Sequence, residues 1–240
     1  MRKRSFSHFL VLSIFLTMTT GCSTSPAPDA GFIDGSKVTK SDILPFQKVW
    51  VKEGVDWKQF TGIHIAEVDI SHALKNGDWK SVTCYGTAST DLEKEADYME
   101  TTFIKAFQDD PHKRFKVVDS PVKGDIILEM AIVELVPNSP AMKAASYAPV
   151  VGTAFSIVNA VDSDSVAFEA RIVDAGSGEI IAMAGDRRTA KMSLVNVQDF
   201  TWYGHADTLI KDWAKEFVKI ANRQPGEKIK KSSSFQLKPW

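Results

Sequence analysis

The chain has 240 residues, of which 44% are apolar, and its 29 basic and 30 acidic side chains give a formal net charge of −1. This balance disfavours a nucleic-acid partner, because binding to phosphates needs a concentrated positive face. The length and the apolar share suit one medium-sized domain with a substantial core.

The N-terminus has the layout of a signal peptide. Arg2, Lys3 and Arg4 precede an apolar run from Phe9 to Met18 that is too short to span a bilayer as a permanent helix. The residues that follow, Thr19-Thr20-Gly21-Cys22, resemble the lipobox of bacterial lipoproteins. We therefore predict a signal peptide over residues 1–21, cleavage before Cys22 and lipid attachment to the Cys22 thiol.

The resemblance to a lipobox implies that Cys22 carries a diacylglycerol and a further acyl chain, such as palmitate, on the new amine. Each buried methylene contributes about 0.8 kcal/mol, so two or three chains make the attachment effectively permanent. Ser23 follows the cysteine, which resembles the pattern of lipoproteins sorted to an outer membrane. We expect a lipid anchor on the periplasmic side of that membrane. The alternative is an ordinary secretory signal whose cleavage site contains a cysteine.

Removal of the signal peptide changes the charge and leaves one other cysteine. The basic count falls from 29 to 26 while all 30 acidic residues remain, so the mature chain lies near −4. The other cysteine is Cys84, expected to be a buried, inert thiol, and no internal disulfide can form. Residues 22–31, rich in Ser, Pro and Ala, are predicted to comprise the lipidated cysteine and a flexible tether.

A single domain is predicted over residues 32–222. Up to Phe60 the chain mixes aromatic and charged residues, and no long regular element is predicted there. Ile63 to Ile70 is predicted to be a strand. Asp91 to Gln108 is predicted to be a helix, because Thr90 and Glu93 form a capping box and apolar residues recur at spacings of three and four.

The rest of the domain is predicted to contain two more strands, a hairpin and a second helix. The strands are Phe115 to Asp119 and a central one from Asp125 to Val136. The hairpin joins residues 166–172 to 180–187 through a turn at 175–178, and the helix covers about 205–221. We predict an α+β fold, with a mixed or antiparallel sheet of about five strands and two amphipathic helices packed on one face.

Alternation within the hairpin predicts which side chains are buried. Phe168 and Ile172 are expected to face the core, whereas Glu169 and Arg171, at the intervening positions, are expected to face solvent. One face of the sheet should therefore be wet.

The hairpin also resembles a known family. The segments Ala167-Phe168-Glu169-Ala170-Arg171-Ile172-Val173-Asp174-Ala175, Gly178-Glu179-Ile180-Ile181-Ala182 and Asp186-Arg187-Arg188 resemble the hairpin of the lipoproteins grouped as domain of unknown function 3313, or DUF3313. Gly31-Phe32-Ile33 resembles the opening of that family. The resemblance covers residues from about 31 to 221. It implies a location and a fold, but no activity, since the family has none established.

Two segments differ from ordinary scaffold. Residues 137–163 form an insertion in which 148–161 carry no charge, and Val150, Val151, Phe155 and Ile157 are candidate contacts to a partner or a second copy. The alternative is that this segment closes the domain's own core. Residues 223–240 carry five basic side chains against one acidic side chain and are predicted to be a disordered basic tail.

Few residues point to catalytic chemistry. Established zinc-helix, nucleophile-elbow, phosphate-loop and dinucleotide motifs are missing from the sequence, so no enzyme activity, cofactor or metal is predicted. His64 and His72, with Asp69 between them, could build a metal site only if the fold brings them together. Arg187 and Arg188 could contact an anion, although charges at the end of a strand are more often solvated.

Three functions remain open at this point. The first is a non-enzymatic accessory or assembly lipoprotein that binds an envelope protein or itself. The second is a protein that binds cell wall or an anionic surface through its basic tail. The third is a hydrolase with an unrecognised site that uses His64 or His72.

Overall fold

The structure, a computed structural model, describes residues 26–75, 88–136, 165–189 and 204–232. These residues contain six strands and three helices. The strands are β1 (Lys48–Val51), β2 (Gly62–Ile65), β3 (Lys116–Val117), β4 (Asp125–Val136), β5 (Ser165–Asp174) and β6 (Ile180–Thr189). The helices are α1 (Ser71–Lys75), α2 (Ala88–Gln108) and α3 (Gly204–Ala221), and a 3-10 turn covers Trp57–Gln59.

All six strands belong to one mixed sheet, in the order β1-β6-β5-β4-β2-β3. Strands β4, β5, β6 and β1 pair antiparallel, whereas β2 is parallel to both β4 and β3. The predicted α+β class with a mixed sheet is confirmed. The additional strand is β1, which comes from the segment where no long regular element was predicted, and four residues are too few to show a clear period.

The main core lies between the sheet and the long helices. It contains the predicted apolar stripes of α2 and α3, including Met99, Phe103 and Trp213, all fully buried. Phe168 of β5 is also fully buried, and its ring lies 4.6 Å from the centre of the Trp213 ring and 5.6 Å from that of Phe46. The predicted orientation of Phe168 toward the core is confirmed.

A buried carboxylate connects the ends of α2 and α3. Asp110, just after α2, accepts hydrogen bonds from the backbone N–H groups of His112 and Arg114 and from the side-chain amide of Asn222, which follows α3. Burial alone would raise the pKa of Asp110, but these hydrogen bonds favour the charged form and leave the pKa below its ordinary value. Asp110 therefore links the C-terminal ends of the two long helices by hydrogen bonds.

The second face of the sheet is partly covered, so the prediction of a wet face is wrong where the N-terminal segment crosses it. Ala131, Val133 and Ala167 are buried there beneath Ala30 and Phe32 of the N-terminal segment. Residues 27–33, which cross this face, will be called the N-terminal strap. The sheet thus has helices on one face and the strap on the other.

Candidate functional site

Most of the predicted contact residues lie outside the part of the chain that the structure describes. This applies to Cys22, to Cys84 and to the candidate partner contacts Val150, Val151, Phe155 and Ile157, so these predictions stand as made. Arg187 and Arg188 are described. They lie in β6, and the residues around them form the most highly charged part of the interior.

Arg187 is on the strap face of β6, where its side chain is 8% exposed. Its Nε donates to Glu134 Oε1 at 2.7 Å, and its Nη2 donates to Ser165 Oγ at 3.2 Å. The Ser165 hydroxyl donates to the same Glu134 carboxylate. Arg187 therefore joins the ends of three neighbouring strands, β4, β5 and β6.

Arg188 is on the helical face, because successive residues of a strand point to opposite sides. Its side chain is 5% exposed; Nε donates to Asp186 Oδ2 at 2.7 Å and Nη2 donates to Glu216 Oε2 of α3 at 2.5 Å. Trp213 Nε1 donates to the same Asp186 oxygen at 3.0 Å. We call Asp186, Arg188 and Glu216 the buried charge cluster.

The buried charge cluster also affects a neighbouring carboxyl. Burial raises the pKa of Asp212 on α3 above its ordinary value, and the positive charge of Arg188 opposes that shift. Arg188 is therefore a local counter-charge for several acidic groups of α3 and β6.

Both arginines are thus placed for a structural task. The expectation of an exposed anion contact at Arg187 and Arg188 does not agree with their burial, and each is paired with carboxylates of this chain. Exposed charges were expected because the three charges of Asp186-Arg187-Arg188 end a strand. The register instead distributes them over two covered faces, where a charge needs a partner.

The C-terminal segment docks on the buried charge cluster. Lys231 Nζ lies 3.1 Å from Asp186 Oδ1, and the backbone N–H of Ser232 donates to Glu216 Oε1. Ile229 is buried, and its N–H donates to the carbonyl of Ile43 at 2.9 Å. The prediction of a disordered tail is wrong for residues 223–232, which pack against the domain.

The N-terminal strap is held by Glu169, which is 0% exposed. The carboxylate accepts hydrogen bonds from the backbone N–H groups of Ala30, Phe32 and Ile33, at 3.1 to 3.4 Å, and Lys48 Nζ lies 3.4 Å away. The prediction that Glu169 faces solvent is therefore wrong. Glu169 interrupts the apolar run from Val166 to Ala170. A carboxylate at such a position indicates that hydrogen-bond donors from another segment cover it.

The start of the strap lies against β1 and β6. The backbone N–H groups of Ala27 and Arg187 donate to the same oxygen, Gln47 Oε1, at 2.8 and 3.1 Å. Lys48 Nζ donates to the carbonyl of Pro28 at 2.9 Å. The flexible tether predicted for residues 22–31 is thus wrong for its packed part, from Ala27 onward, although its earlier part lies outside the described residues.

Arg171 is partly shielded as well. Its guanidinium lies 4.7 Å from the centre of the Phe32 ring in the strap and forms an ion pair with Glu129 of β4, and its side chain remains 34% exposed. The predicted outward direction of Arg171 is correct, but the face that it points to is partly covered.

The candidate metal ligands are not brought together. His64 Nδ1 lies 3.0 Å from the carbonyl of Val118, whereas His72 Nδ1 lies 2.8 Å from the carbonyl of Ala30. His72 Nε2 is 3.9 Å from Asp69. In the described ranges, no group of three or more His, Cys, Asp and Glu side chains is arranged to hold a metal ion.

Among the described residues, no helix combines the length and the apolar character needed to cross a membrane.

The candidate site therefore comprises strands β5 and β6 of an α+β domain: Glu169 of β5 holds the N-terminal strap, and Asp186 of β6 with Glu216 of α3 holds the C-terminal segment. The chain belongs to the family described as protein of unknown function DUF3313, whose model matches residues 31–217. This confirms the family suggested by the hairpin residues. No curated protein sequence matches the chain.

Solved structures resemble the chain only distantly. A PelC dodecamer from Paraburkholderia phytofirmans is 11% identical with a TM-score of 0.37, and the alignment covers 70% of this chain and 96% of that one. A PDZ domain protein from Parabacteroides distasonis is 13% identical with a TM-score of 0.39, and the alignment covers 77% of this chain and 37% of that one. These likenesses are too distant to assign an assembly or a ligand.

Proposed function

We propose that this protein is a lipid-anchored envelope lipoprotein on the periplasmic side of the outer membrane. In this proposal the lipid on Cys22 is its membrane attachment, and the domain is a non-enzymatic accessory or assembly module that binds an envelope protein or a second copy of itself. The N-terminal sequence from Arg2 to Cys22 supports the anchor.

The observation that carries this proposal is the early start of the packed chain. Ala27 already contacts Gln47, five residues after Cys22. Five extended residues reach roughly 17 Å at most. An anchor at Cys22 would therefore hold the domain close to the membrane surface, and a partner of this protein would be one that meets it there.

A binding role agrees with the use of the charged residues. The carboxylates of Asp186, Glu216 and Glu169 accept hydrogen bonds from arginine, tryptophan and backbone donors of the same chain, and these contacts fasten the two ends of the domain. These contacts fix the two segments on the domain, which supports the proposal of a rigid binding module.

Replacement of the anchoring residue tests the proposal. Cys22→Ser removes the sulfur that would carry the diacylglycerol, so we expect loss of acyl labelling and accumulation of a precursor that keeps its signal peptide. Labelling with a radioactive fatty acid and extraction of membranes at alkaline pH measure both effects. Cys84→Ser is the matched control and should leave labelling unchanged. Normal processing and membrane retention of Cys22→Ser would contradict the proposal.

The partner can be sought by crosslinking in intact cells, followed by capture of the protein from solubilised membranes. We expect a stoichiometric envelope protein or a second copy, and loss of that species in Phe155→Asp, because an unpaired charge disfavours an apolar contact. Circular dichroism must show an unchanged melting temperature for this variant. Capture unaffected by Phe155→Asp, or a collapse of its melting temperature, would remove residues 150–157 as the contact.

A further inference from the structure

We infer that Lys228 and Lys230 contact anionic phospholipid headgroups of the membrane that carries the anchor, which gives the domain a second point of attachment and a fixed orientation. The inference rests on the proposed function, since it requires the lipid on Cys22. It differs from a disordered basic tail, because the lysines belong to an ordered segment.

The first step is that residues 228–232 are held in place. Ile229 is buried and donates its N–H to Ile43, and Lys231 and Ser232 bind the buried charge cluster at Asp186 and Glu216. Lys228 and Lys230 flank the buried Ile229, and both are exposed. They therefore form a fixed pair of cations that points away from the domain.

The second step is that this segment lies near the point where the anchored N-terminus reaches the domain. Lys231 contacts Asp186, whereas Ala27 shares the Gln47 oxygen with the backbone of Arg187, the next residue of β6. The N-terminal strap and the C-terminal segment thus reach adjacent residues of β6, Arg187 and Asp186, from opposite faces of the sheet. A lipid within roughly 17 Å of Ala27 brings headgroups near the same part of the domain.

The third step concerns charge. The mature chain carries a net negative charge near −4, so an anionic surface repels most of the domain. The C-terminal segment is an exception, because Arg223, Lys228, Lys230 and Lys231 face only Glu227 between residues 223 and 232. Lys231 is compensated by Asp186, which leaves Lys228 and Lys230 as the exposed cations available to lipid phosphates.

The fourth step concerns concentration. An anchored domain is held at a high effective concentration next to its own membrane, so even a weak attraction between its lysines and the lipid headgroups leads to contact. Each lysine near an anionic leaflet strengthens membrane association roughly fivefold, and the effect falls off over about 8 Å at physiological salt. Two ordered lysines are therefore enough to select one orientation of a domain that is already tethered.

Lysine labelling of the native protein in vesicles tests this inference. The acylated full-length mature protein, its lipid confirmed by mass, is reconstituted into vesicles of phosphatidylcholine with or without phosphatidylglycerol. A water-soluble amine reagent is added, and modification of each lysine is followed by mass spectrometry. We expect Lys228 and Lys230 to react several-fold more slowly with phosphatidylglycerol present, and high salt to restore their rate. Lys58 and Lys116, exposed on other parts of the domain, are internal controls.

Charge-reversed variants give a second readout. Lys228→Glu should weaken the phosphatidylglycerol-dependent protection of Lys230, and Lys230→Glu should weaken that of Lys228, whereas the matched pair Lys58→Glu and Lys116→Glu should keep the protection at both lysines. Equal labelling of all four lysines in both vesicle types, with the protein acylated and bound, would overturn the inference and leave the anchor intact. A protein without acyl chains would overturn the proposed function and the inference with it.

Discussion

Phe168→Ala is expected to lower the free energy of unfolding by about 3 to 5 kcal/mol. Phe168 is fully buried between the sheet and the long helices, where its ring contacts Trp213, Phe46 and Phe217. Removal of the ring loses the apolar area and leaves a cavity that those neighbours can fill only in part.

Urea unfolding followed by circular dichroism measures this loss, and Arg171→Ala is the control on the same strand. Arg171 is 34% exposed, so loss of its ion pair and its contact with Phe32 should cost about 1 kcal/mol or less. Equal losses in the two variants would refute the register of β5 and β6 described above.

Glu169→Ala is expected to cost about 3 kcal/mol or more and to release the N-terminal strap. The carboxylate accepts three backbone N–H groups of the strap and lies beside Lys48, all in a covered site. Its removal leaves the N–H donors of the strap without an acceptor and the largely buried Lys48 ammonium without its counter-charge, and removing one partner of a buried pair is strongly destabilising.

Two measurements separate this effect from a simple loss of charge. Glu179 lies in the turn of the same hairpin and forms an exposed ion pair with Lys52, which follows β1. Glu179→Ala breaks this pair and should cost less than about 1 kcal/mol. Limited proteolysis with chymotrypsin should cut Glu169→Ala early after Phe32, inside the strap, and leave Glu179→Ala resistant there. A strap that stays protected in Glu169→Ala would show that Glu169 does not hold it.

The elements with a clear period could be predicted from the sequence. Helices α2 and α3 carry apolar residues at spacings of three and four, and the hairpin of β5 and β6 alternates around a turn rich in glycine. The observed bounds of all four differ from the predicted ones by three residues at most. Local pattern was sufficient for these bounds because each element turns one apolar face to the main core.

The strap and its acceptor could not be predicted in the same way. Glu169 is 137 residues from Phe32 in the chain, and nothing local to β5 indicates which segment will cover its outer face. The strap lacks a period of its own, and its Ser, Pro and Ala composition is that of a linker. Its position depends on backbone hydrogen bonds to one carboxylate, which composition does not reveal.

The burial of the two arginines and of the C-terminal segment could not be predicted for a related reason. Arg187 and Arg188 look alike in the sequence, but alternation places them on opposite faces with different carboxylates. The tail looks basic and polar, but a single buried apolar residue, Ile229, and three polar contacts dock it. Whether such residues are buried depends on contacts with segments far away in the sequence, and the sequence alone does not show which segments will be in contact.

The mass of the N-terminal peptide of the protein purified from bacterial membranes tests the central claim most directly. We expect the mature chain to begin at Cys22, with a mass increase that fits a diacylglyceryl thioether and an acylated amine, and hydrolysis should release the ester-linked chains. A chain that begins elsewhere, or a Cys22 with a free thiol in protein recovered from the soluble fraction, would contradict the account.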